Sequence, residues 1–392
     1  MKKGFLVLTI LVLPSVLLGA SSGGKLISID IPSSQTGVAI PVALNVNMGD
    51  WRLEEYPSGS EVPCQLDRTN GVLYFIVETP KSDKVIKKRF KLIQGRSSTH
   101  VGFSLENVKA KQIVLKENNK PVLAFNYGMI LAEGVPEDRR RSCYIHPVYG
   151  PNGELLSDDF PKDHYHHRGI FWAWPSVKIE NKTYSLWSIV GIRQRFEKLL
   201  SVDLGPVYGK FSVRNGWYTD DGTKIMYEVV TVTAYRTTAV GRVVDIELEW
   251  TPVSKPITLD SSERGYGGFS MRFAPRKDTI VYTPKGQEKG DVDRVQFEWS
   301  DLSAKFGDAS ELSGVTIIDN PSNPVYPTAW SNRYYGFLNP SFTGLGPVTI
   351  DSGKTITYRY RLWVHKGDAL SGNAKEAFEA YTKGVKIYSD CE

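Results

Sequence analysis

Two long segments in the second half of the chain alternate apolar and polar residues with a period of two. Residues 227–235 place Val230 and Val232 on one face and Thr231 on the other, and residues 242–250 alternate almost as regularly. Because successive side chains of a strand point to opposite faces, this pattern predicts strands that are buried on one face. Two such strands joined by a short turn indicate an antiparallel sheet.

Shorter segments rich in β-branched and aromatic residues continue this pattern along the chain. They predict strands at residues 38–46, 72–77, 88–93, 113–115, 122–127, 268–274, 279–283, 314–318 and 355–364. The clearest helix signal is near the C-terminus, where residues 373–381 combine an N-cap residue with strong helix formers. The chain is therefore predicted to be mostly β: a large antiparallel β-sandwich with a small N-terminal β-sandwich region and a C-terminal helix.

The N-terminus predicts export. Lys2 and Lys3 precede an apolar run that ends in small residues, which is the layout of a secretory signal peptide at residues 1–20. The 392 residues exceed the usual size of one domain. We expect a small N-terminal region at 24–105 and a larger domain at 106–392, with no membrane span after signal cleavage. The expected location is secreted or periplasmic.

Charge and cysteine usage narrow the possible functions. The chain has 48 Lys and Arg against 43 Asp and Glu, and this near balance is not typical of a nucleic-acid-binding protein. The three cysteines, Cys64, Cys143 and Cys391, are too widely spaced for a zinc knuckle or a dense disulfide framework. One disulfide bond is allowed in an oxidising compartment, and the sequence does not select its pair.

Histidines are concentrated in one part of the chain that is otherwise rich in Pro, Gly, Asp and Arg. Four of the six lie within 22 positions, namely His146, His164, His166 and His167. Because an unpartnered buried histidine is costly, such a cluster predicts a functional site. If residues 163–168 form an extended strand, His164, His166 and Arg168 share one face and His167 lies on the other.

The leading hypothesis is proton transfer on an acidic sugar. His164, His166 or His167, with Tyr144 as a further candidate, would act as base or acid. Arg168 would hold a uronic-acid carboxylate, whose charge must be offset when the neighbouring proton is removed. Other candidate substrate-binding residues are Trp172, Glu263, Arg272, Trp330 and Arg333. This β-elimination of the lyase or dehydratase type requires no cofactor, and its substrate is an oligosaccharide or polysaccharide.

Two alternatives use the same segment differently. In a metal-dependent glycan hydrolase, His146, His164 and His166 would bind a divalent metal such as Zn²⁺ or Ca²⁺. In a non-catalytic sugar-binding protein, Trp172, Trp174 and Trp330 would stack on sugar rings.

A set of acidic residues and a run of arginines allow further interpretations. Asp158, Asp159 and Glu263 are available for glycosidase chemistry by paired carboxylates. The triplet 139–141, Arg-Arg-Arg, is either a solvated charge run or an electrostatic collar for an acidic substrate.

The segments that carry this chemistry resemble a bacterial family. Residues 144–147, 158–172, 265–268 and 314–336 are similar to the core of the secreted PmoA-like family, over roughly residues 110–385. The Asp-His-x-His-His-Arg-Gly motif is the most specific part. The methane oxygenase that the family name refers to spans the membrane, whereas this chain is not expected to. The resemblance implies a galactose-mutarotase-like supersandwich and a role in polysaccharide degradation, and that fold carries several reaction types.

Overall fold

The computed structural model describes residues 24–100 and 102–390. The predicted signal peptide and Cys391 therefore lie outside the described residues. The described chain forms two compact units. The smaller unit comprises the residues up to His100 and those from Glu379 onward, and the larger unit comprises the residues between them, ending at Phe378. The sequence predicted that residues 106–392 form one larger domain. In the structure, the residues from Glu379 onward belong to the smaller unit.

The smaller unit contains two antiparallel sheets among the described residues. Its five-stranded sheet has the spatial order Lys386–Asp390, Lys25–Ile31, Ile86–Gln94, Trp51–Glu55 and Ser60–Val62. Its three-stranded sheet has the order Ala39–Asn45, Val72–Glu78 and Cys64–Asp67. The C-terminal strand joins this unit because its five residues pair with Leu26 to Asp30 of the strand Lys25–Ile31.

The larger unit is built on a nine-stranded antiparallel sheet. Its spatial order is Ile192–Leu204, Tyr208–Thr219, Lys224–Tyr235, Gly241–Pro252, Ile356–Lys366, Ser313–Asp319, Trp299–Phe306, Arg276–Thr283 and Gly286–Gln287. The central strands are long and alternate buried with partly exposed residues, as the sequence pattern predicts.

A seven-stranded antiparallel sheet is the other large sheet of this unit. Its order is Phe337–Leu338, Gly268–Arg272, Ile170–Ala173, Tyr144–Val148, Lys120–Asn126, Gln112–Glu117 and Phe103–Val108. Two small sheets complete the unit, with the strands Lys182–Tyr184, Ser176–Ile179, Ile257–Asp260 and Val348–Ile350 in one and Val292–Gln296, Ala329–Asn332 and Pro340–Ser341 in the other.

One hydrophobic core joins the two large sheets. Ile170 and Met271 from the seven-stranded sheet belong to the same buried cluster as Val230 and Leu248 from the nine-stranded sheet. Val230 is fully buried while Thr231 beside it is partly exposed, which confirms the predicted alternation. The two sheets therefore bury their apolar faces together, as in a β-sandwich.

The mostly β prediction and the C-terminal helix are confirmed. The helix is Ala374–Lys383, and two short 3₁₀ turns are Ser33–Gln35 and Glu137–Arg139. Across residues 24–100 and 102–390, no helix has the length and hydrophobicity needed to cross a membrane. Cys64 and Cys143 are buried and free.

A buried ion pair ties two neighbouring parts of the nine-stranded sheet together. Nε2 of His365 lies 2.8 Å from Asp301 Oδ2, and both side chains are fully buried. Asp301 also accepts hydrogen bonds from Ser303 Oγ at 2.5 Å and Thr316 Oγ1 at 2.8 Å. Burial opposes protonation, but the carboxylate outweighs it and raises the pKa of His365 above its ordinary value.

This pair predicts a stability change at alkaline pH. A raised folded-state pKa means that the pair stabilises fully below the ordinary pKa of 6.5, and that this stabilisation is lost as the pH rises through the folded pKa. Replacing His365 by Gln is expected to lower the unfolding free energy at pH 6 by about 1.5–3 kcal/mol. Urea unfolding from pH 6 to 9 measures it, and equal pH dependence in the variant and the parent would contradict the assignment.

Candidate functional site

The histidine-rich segment forms a loop that connects two strands of the seven-stranded sheet, Tyr144–Val148 and Ile170–Ala173. It turns twice, with the His164 amide donating to Pro161 O and the His167 amide donating to His164 O, both at 2.9 Å. The assumption of an extended strand is therefore wrong. Because the backbone turns back on itself, the imidazole rings converge instead of alternating between two faces.

Three imidazole rings form what we call the histidine cluster: His164, His166 and His167. The rings of His164 and His167 stack with centroids 4.7 Å apart and planes 8° from parallel. His166 packs edge-on against His167 at 4.5 Å. His167 is 2% exposed, whereas 35% of the His164 side chain is exposed. His164 is therefore better placed than His167 to meet a ligand.

Four further rings surround the histidine cluster, and we call them the aromatic wall: Trp187, Tyr266, Tyr335 and Phe337. Tyr335 stacks on His164 at 5.1 Å and Phe337 stacks on His167 at 4.6 Å. Trp187 lies 5.7 Å from both His166 and Tyr266. Tyr335 is 36% exposed, so part of this wall is accessible.

The seven-stranded sheet brings this wall to the histidines. Phe337 lies opposite Arg272 in the register of two paired strands, and Met271 beside it pairs with Ile170. Gly336 has a φ of +103°, a backbone conformation that strains residues with a side chain. The turn at this glycine lies between the two aromatic residues Tyr335 and Phe337. Nη2 of Arg276 fixes the turn by donating to Tyr334 O at 3.0 Å.

Asp163 lies between a cation and the exposed histidine. Its two carboxylate oxygens accept hydrogen bonds from Nη2 of Arg272 at 2.8 and 2.9 Å. Its Oδ2 also lies 2.9 Å from Nδ1 of His164, although the ring N–H does not point at that oxygen. A small tilt of the ring would make this contact a hydrogen bond. Partial burial opposes the effect, but His164 and Arg272 together lower the pKa of Asp163.

This geometry suits His164 for proton transfer. A carboxylate beside one ring nitrogen can orient an imidazole for proton exchange at the other nitrogen. Because Nδ1 of His164 is buried, a proton exchanged with a ligand would pass through Nε2. Arg272 is 6% exposed and holds Asp163 in place, while its own Nε and Nη1 atoms have no hydrogen-bond partner among the described residues.

The other histidines of the segment are held neutral. Burial, followed by nearby positive charges, lowers the pKa of His146 to about 4 and that of His166 to about 3. Burial and the neighbouring imidazoles also lower the pKa of His167 well below its ordinary value. These rings can donate or accept hydrogen bonds, but they do not supply positive charge near neutral pH.

These low pKa values predict sensitivity to acid. The unfolded chain binds protons on these rings below about pH 6.5, whereas the folded chain does so only at lower pH, so their contribution makes stability fall as the pH falls below 6.5. NMR titration of the ring C–H signals, assigned with the variants His146→Asn and His166→Asn, is expected to place the midpoints near 4 and 3. A midpoint near 6.5 for either ring would contradict this burial.

Arg168 does not face a ligand, and its predicted role in binding a carboxylate is not supported by its position. Its side chain is fully buried. Its guanidinium donates to the backbone oxygens of Tyr165 at 2.6 Å, His167 at 2.7 Å and Arg139 at 2.5 Å. It also lies over the Phe160 ring at 3.4 Å. Arg168 therefore holds the loop in shape.

Tyr144 is likewise part of the core and not a candidate for proton transfer. It is fully buried and donates a hydrogen bond from Oη to Asp159 Oδ2 at 2.9 Å. Burial and this carboxylate raise its pKa well above the ordinary value. Burial also raises the pKa of Asp159 to about 6. Asp158 has a raised pKa for the same reason.

The predicted stacking tryptophans are core residues. Trp172, Trp174 and Trp330 are all fully buried, so none of them offers a face to a sugar. Trp330 donates from Nε1 to Phe297 O at 2.7 Å. Trp172 donates from Nε1 to the carboxylate of Glu228, itself fully buried, at 2.7 Å.

Arg333 and Glu263 take different positions. Arg333 is 2% exposed and donates to Tyr266 Oη at 2.5 Å and to Val292 O at 2.8 Å, and it also pairs with Asp293. It therefore orients one ring of the aromatic wall. Glu263 is exposed in a turn, and its place in the site stays a prediction.

The three proposed metal ligands do not converge. The rings of His164 and His166 are 5.6 Å apart, but His146 instead contacts Ser157 Oγ at 2.9 Å through Nδ1. Within the described chain, no group of three His, Cys, Asp or Glu side chains has metal-binding geometry. Metal binding by the His146, His164, His166 set stays a prediction.

Sequence reasoning missed the aromatic wall, because Trp187 and Tyr335 lie far along the chain from the histidines. Arg272 was singled out, but its pairing with Asp163 was not. The signal that could have found Tyr335 is its place between Arg333 and Gly336, in a segment already noted for resemblance.

Comparisons with known proteins give a family and distant structural neighbours. No curated protein matches the chain. Among solved structures, galactose 1-epimerase from Lactobacillus acidophilus NCFM matches with 9% identity and a TM-score of 0.28, covering 73% of this chain and 96% of that one. So low a TM-score carries no argument about the site.

A family model described as "Family of unknown function (DUF6807)" matches residues 112–379. The match includes the histidine cluster and the aromatic wall. The PmoA-like name stays a resemblance, since the matching family is not described by it. This chain belongs to the family of unknown function DUF6807.

Proposed function

We propose that this protein is a carbohydrate-active enzyme in which His164 exchanges a proton with a sugar bound beside the aromatic wall. The observation that carries the proposal is the position of Asp163, which is held by Arg272 and lies 2.9 Å from Nδ1 of His164. A carboxylate paired with an imidazole is a common arrangement for general acid–base catalysis.

The aromatic wall supports a sugar as the ligand. The C–H face of a sugar ring is apolar and packs on aromatic faces, while its hydroxyl groups need hydrogen-bonding partners. Tyr335 is partly exposed beside His164, and Trp187 and Tyr266 continue the wall. The neutral imidazole of His166 offers a donor or an acceptor next to these rings.

The specific reaction that we propose is β-elimination from a uronic acid. Nε2 of His164 would take the proton from the carbon beside the carboxylate. The electrons of that C–H bond form a double bond to the next carbon, and the glycosidic oxygen leaves with its bonding pair. The imidazolium then returns the proton to that oxygen, so the step needs no other reactant.

Arg272 supports an acidic substrate for this step. Negative charge builds on the carboxylate in the transition state, and a nearby guanidinium would offset it. Since Arg168 is enclosed by backbone oxygens, the unpartnered Nε and Nη1 atoms of Arg272 are the better candidates for this role. A shift of the Tyr335 ring, which lies 4.7 Å from this guanidinium, would open access to it.

An absorbance assay tests the reaction. The product of uronic-acid elimination contains a conjugated double bond that absorbs ultraviolet light. The protein is incubated with oligosaccharides of galacturonic, glucuronic and mannuronic acid. The same oligosaccharides with carboxyl groups reduced to alcohols are the matched control, because their C–H bond is no longer acidic. New absorbance with an acidic member alone is expected.

The opposite results have distinct meanings. Binding of these sugars without new absorbance would overturn the elimination and favour a sugar-binding protein. Release of reducing sugar without new absorbance would point to hydrolysis instead.

A further inference from the structure

A small recess of about 10 Å³, the space of one water-sized group, is lined by Leu186, the neighbour of Trp187 in the aromatic wall. Its lining includes Arg140, Arg141 and Arg193, and no acidic side chain of the described residues lines it. The recess adjoins the proposed site through shared packing: the Arg141 guanidinium lies 5.1 Å from the Phe171 ring, which is 5.5 Å from Trp187.

Arg141 is an unsatisfied cation at this recess. It is 4% exposed, and its Nη1 atom is buried with no hydrogen-bond partner among the described residues. Nη2 makes only a long contact, 3.4 Å, with Gln194 Oε1. Burial lowers the pKa of Arg141 to about 9. Because an uncompensated buried charge is costly, an anion that reached this guanidinium would be bound favourably.

The other two arginines of the recess, Arg140 and Arg193, differ in their hydrogen-bond partners. Arg140 forms a two-point contact with Glu137, with donor–acceptor distances of 2.7 and 2.9 Å, so its charge is balanced. Arg193 donates from Nη1 to the backbone oxygen of Arg140 at 3.0 Å and pairs with no carboxylate among the described residues. Arg141 and Arg193 therefore place two guanidinium groups around one small space, and neither forms a salt bridge with a carboxylate among the described residues.

We propose that this recess is a subsite for a carboxylate of an acidic sugar. A guanidinium fork matches a planar carboxylate, whose oxygen would enter the recess while the sugar ring stays outside it. The proposal rests on the proposed function for the ligand being a sugar. Together with Arg272 at the histidine cluster, the recess implies a substrate that carries carboxylates on more than one sugar unit.

Calorimetric binding of small probes tests the subsite. The probes are galacturonate, its neutral counterpart galactose, and sulfate, at constant low ionic strength because salt screens exposed charges. Galacturonate is expected to bind at least about 10-fold more tightly than galactose, and Arg193→Gln to remove most of that difference. Arg195→Gln is the matched control, since it removes the same charge from an exposed position of the same strand. Arg141→Lys, which keeps the charge and loses the fork, is expected to weaken galacturonate as well.

Each outcome decides the proposal. Equal binding of galacturonate and galactose, or equal effects of Arg193→Gln and Arg195→Gln, would overturn it. Binding of sulfate but not galacturonate would overturn the carboxylate assignment. If galacturonate binds through Arg193 but no acidic oligosaccharide is eliminated, the subsite stands and the proposed reaction fails.

Discussion

Replacing Glu228 by Gln is expected to lower the free energy of unfolding by about 4–5 kcal/mol, one of the largest effects of a single substitution in this chain. Glu228 is fully buried in the core of the larger unit. Five side chains donate hydrogen bonds to its carboxylate: Trp172 at 2.7 Å, Asn215 at 2.8 Å, Trp217 at 2.9 Å, and Gln194 and Trp250 at 3.0 Å. Three of these donors are indole N–H groups, which cannot reverse their role.

The physical reason is the loss of acceptors. A Gln side chain keeps one acceptor oxygen and turns the other into an NH₂ donor, which would face donors. A buried donor left without a partner costs about 1–3 kcal/mol. Four of the five donors share Oε2, so a Gln oxygen in that place keeps them only as weaker, uncharged hydrogen bonds, while its NH₂ group faces the Asn215 amide. The tryptophans cannot move away because they are packed in the core.

Urea unfolding followed by tryptophan fluorescence measures this effect. The matched control is Glu133→Gln, an exposed site where the same change is expected to alter stability by less than about 0.5 kcal/mol. A loss below about 1 kcal/mol for Glu228→Gln would contradict the hydrogen-bond network.

The second large effect concerns turnover. On any substrate found in the absorbance assay, replacing His164 by Ala is expected to lower kcat by about 10²–10⁴-fold, the usual contribution of a general acid or base. Folding should be unaffected, because 35% of this side chain is exposed and the ring fills no core position.

His146→Asn is the control for this experiment. It removes a histidine from the same part of the chain, but one that contacts Ser157 and lies outside the histidine cluster. A change of less than about threefold in kcat is expected for it. Similar losses in the two variants, or full activity of His164→Ala, would contradict the assignment of the proton-transfer role.

Strand periodicity made much of the fold predictable. The strand Lys224–Tyr235 follows from alternation, because from Met226 to Ala234 each buried residue is separated from the next by one residue. The strands Ile192–Leu204 and Tyr208–Thr219 were missed. In the first, Leu199 and Leu200 are adjacent and both exposed, which breaks the alternation.

The sequence predicted where the candidate site lies in the chain, but not which role each of its residues has. Histidine content pointed to the correct loop, yet the roles of Arg168 and Trp172 depended on burial by residues distant in sequence. Arg168 is enclosed by the loop's own carbonyl groups, and Trp172 meets Glu228 across the core. Local sequence carries no signal for such contacts, since the same residue types serve equally well at a surface.

The pairing of Lys386–Asp390 with Lys25–Ile31 has a consequence for biosynthesis. The larger unit is inserted between strands of the smaller one, so a ribosome makes residues 102–378 before the last strand of the five-stranded sheet exists. Until then, Lys25–Ile31 has an unpaired edge, which is a site where another nascent chain can pair. Chaperone protection is therefore needed longest at the segment that is made early, and cleavage before Lys386 would expose that edge again.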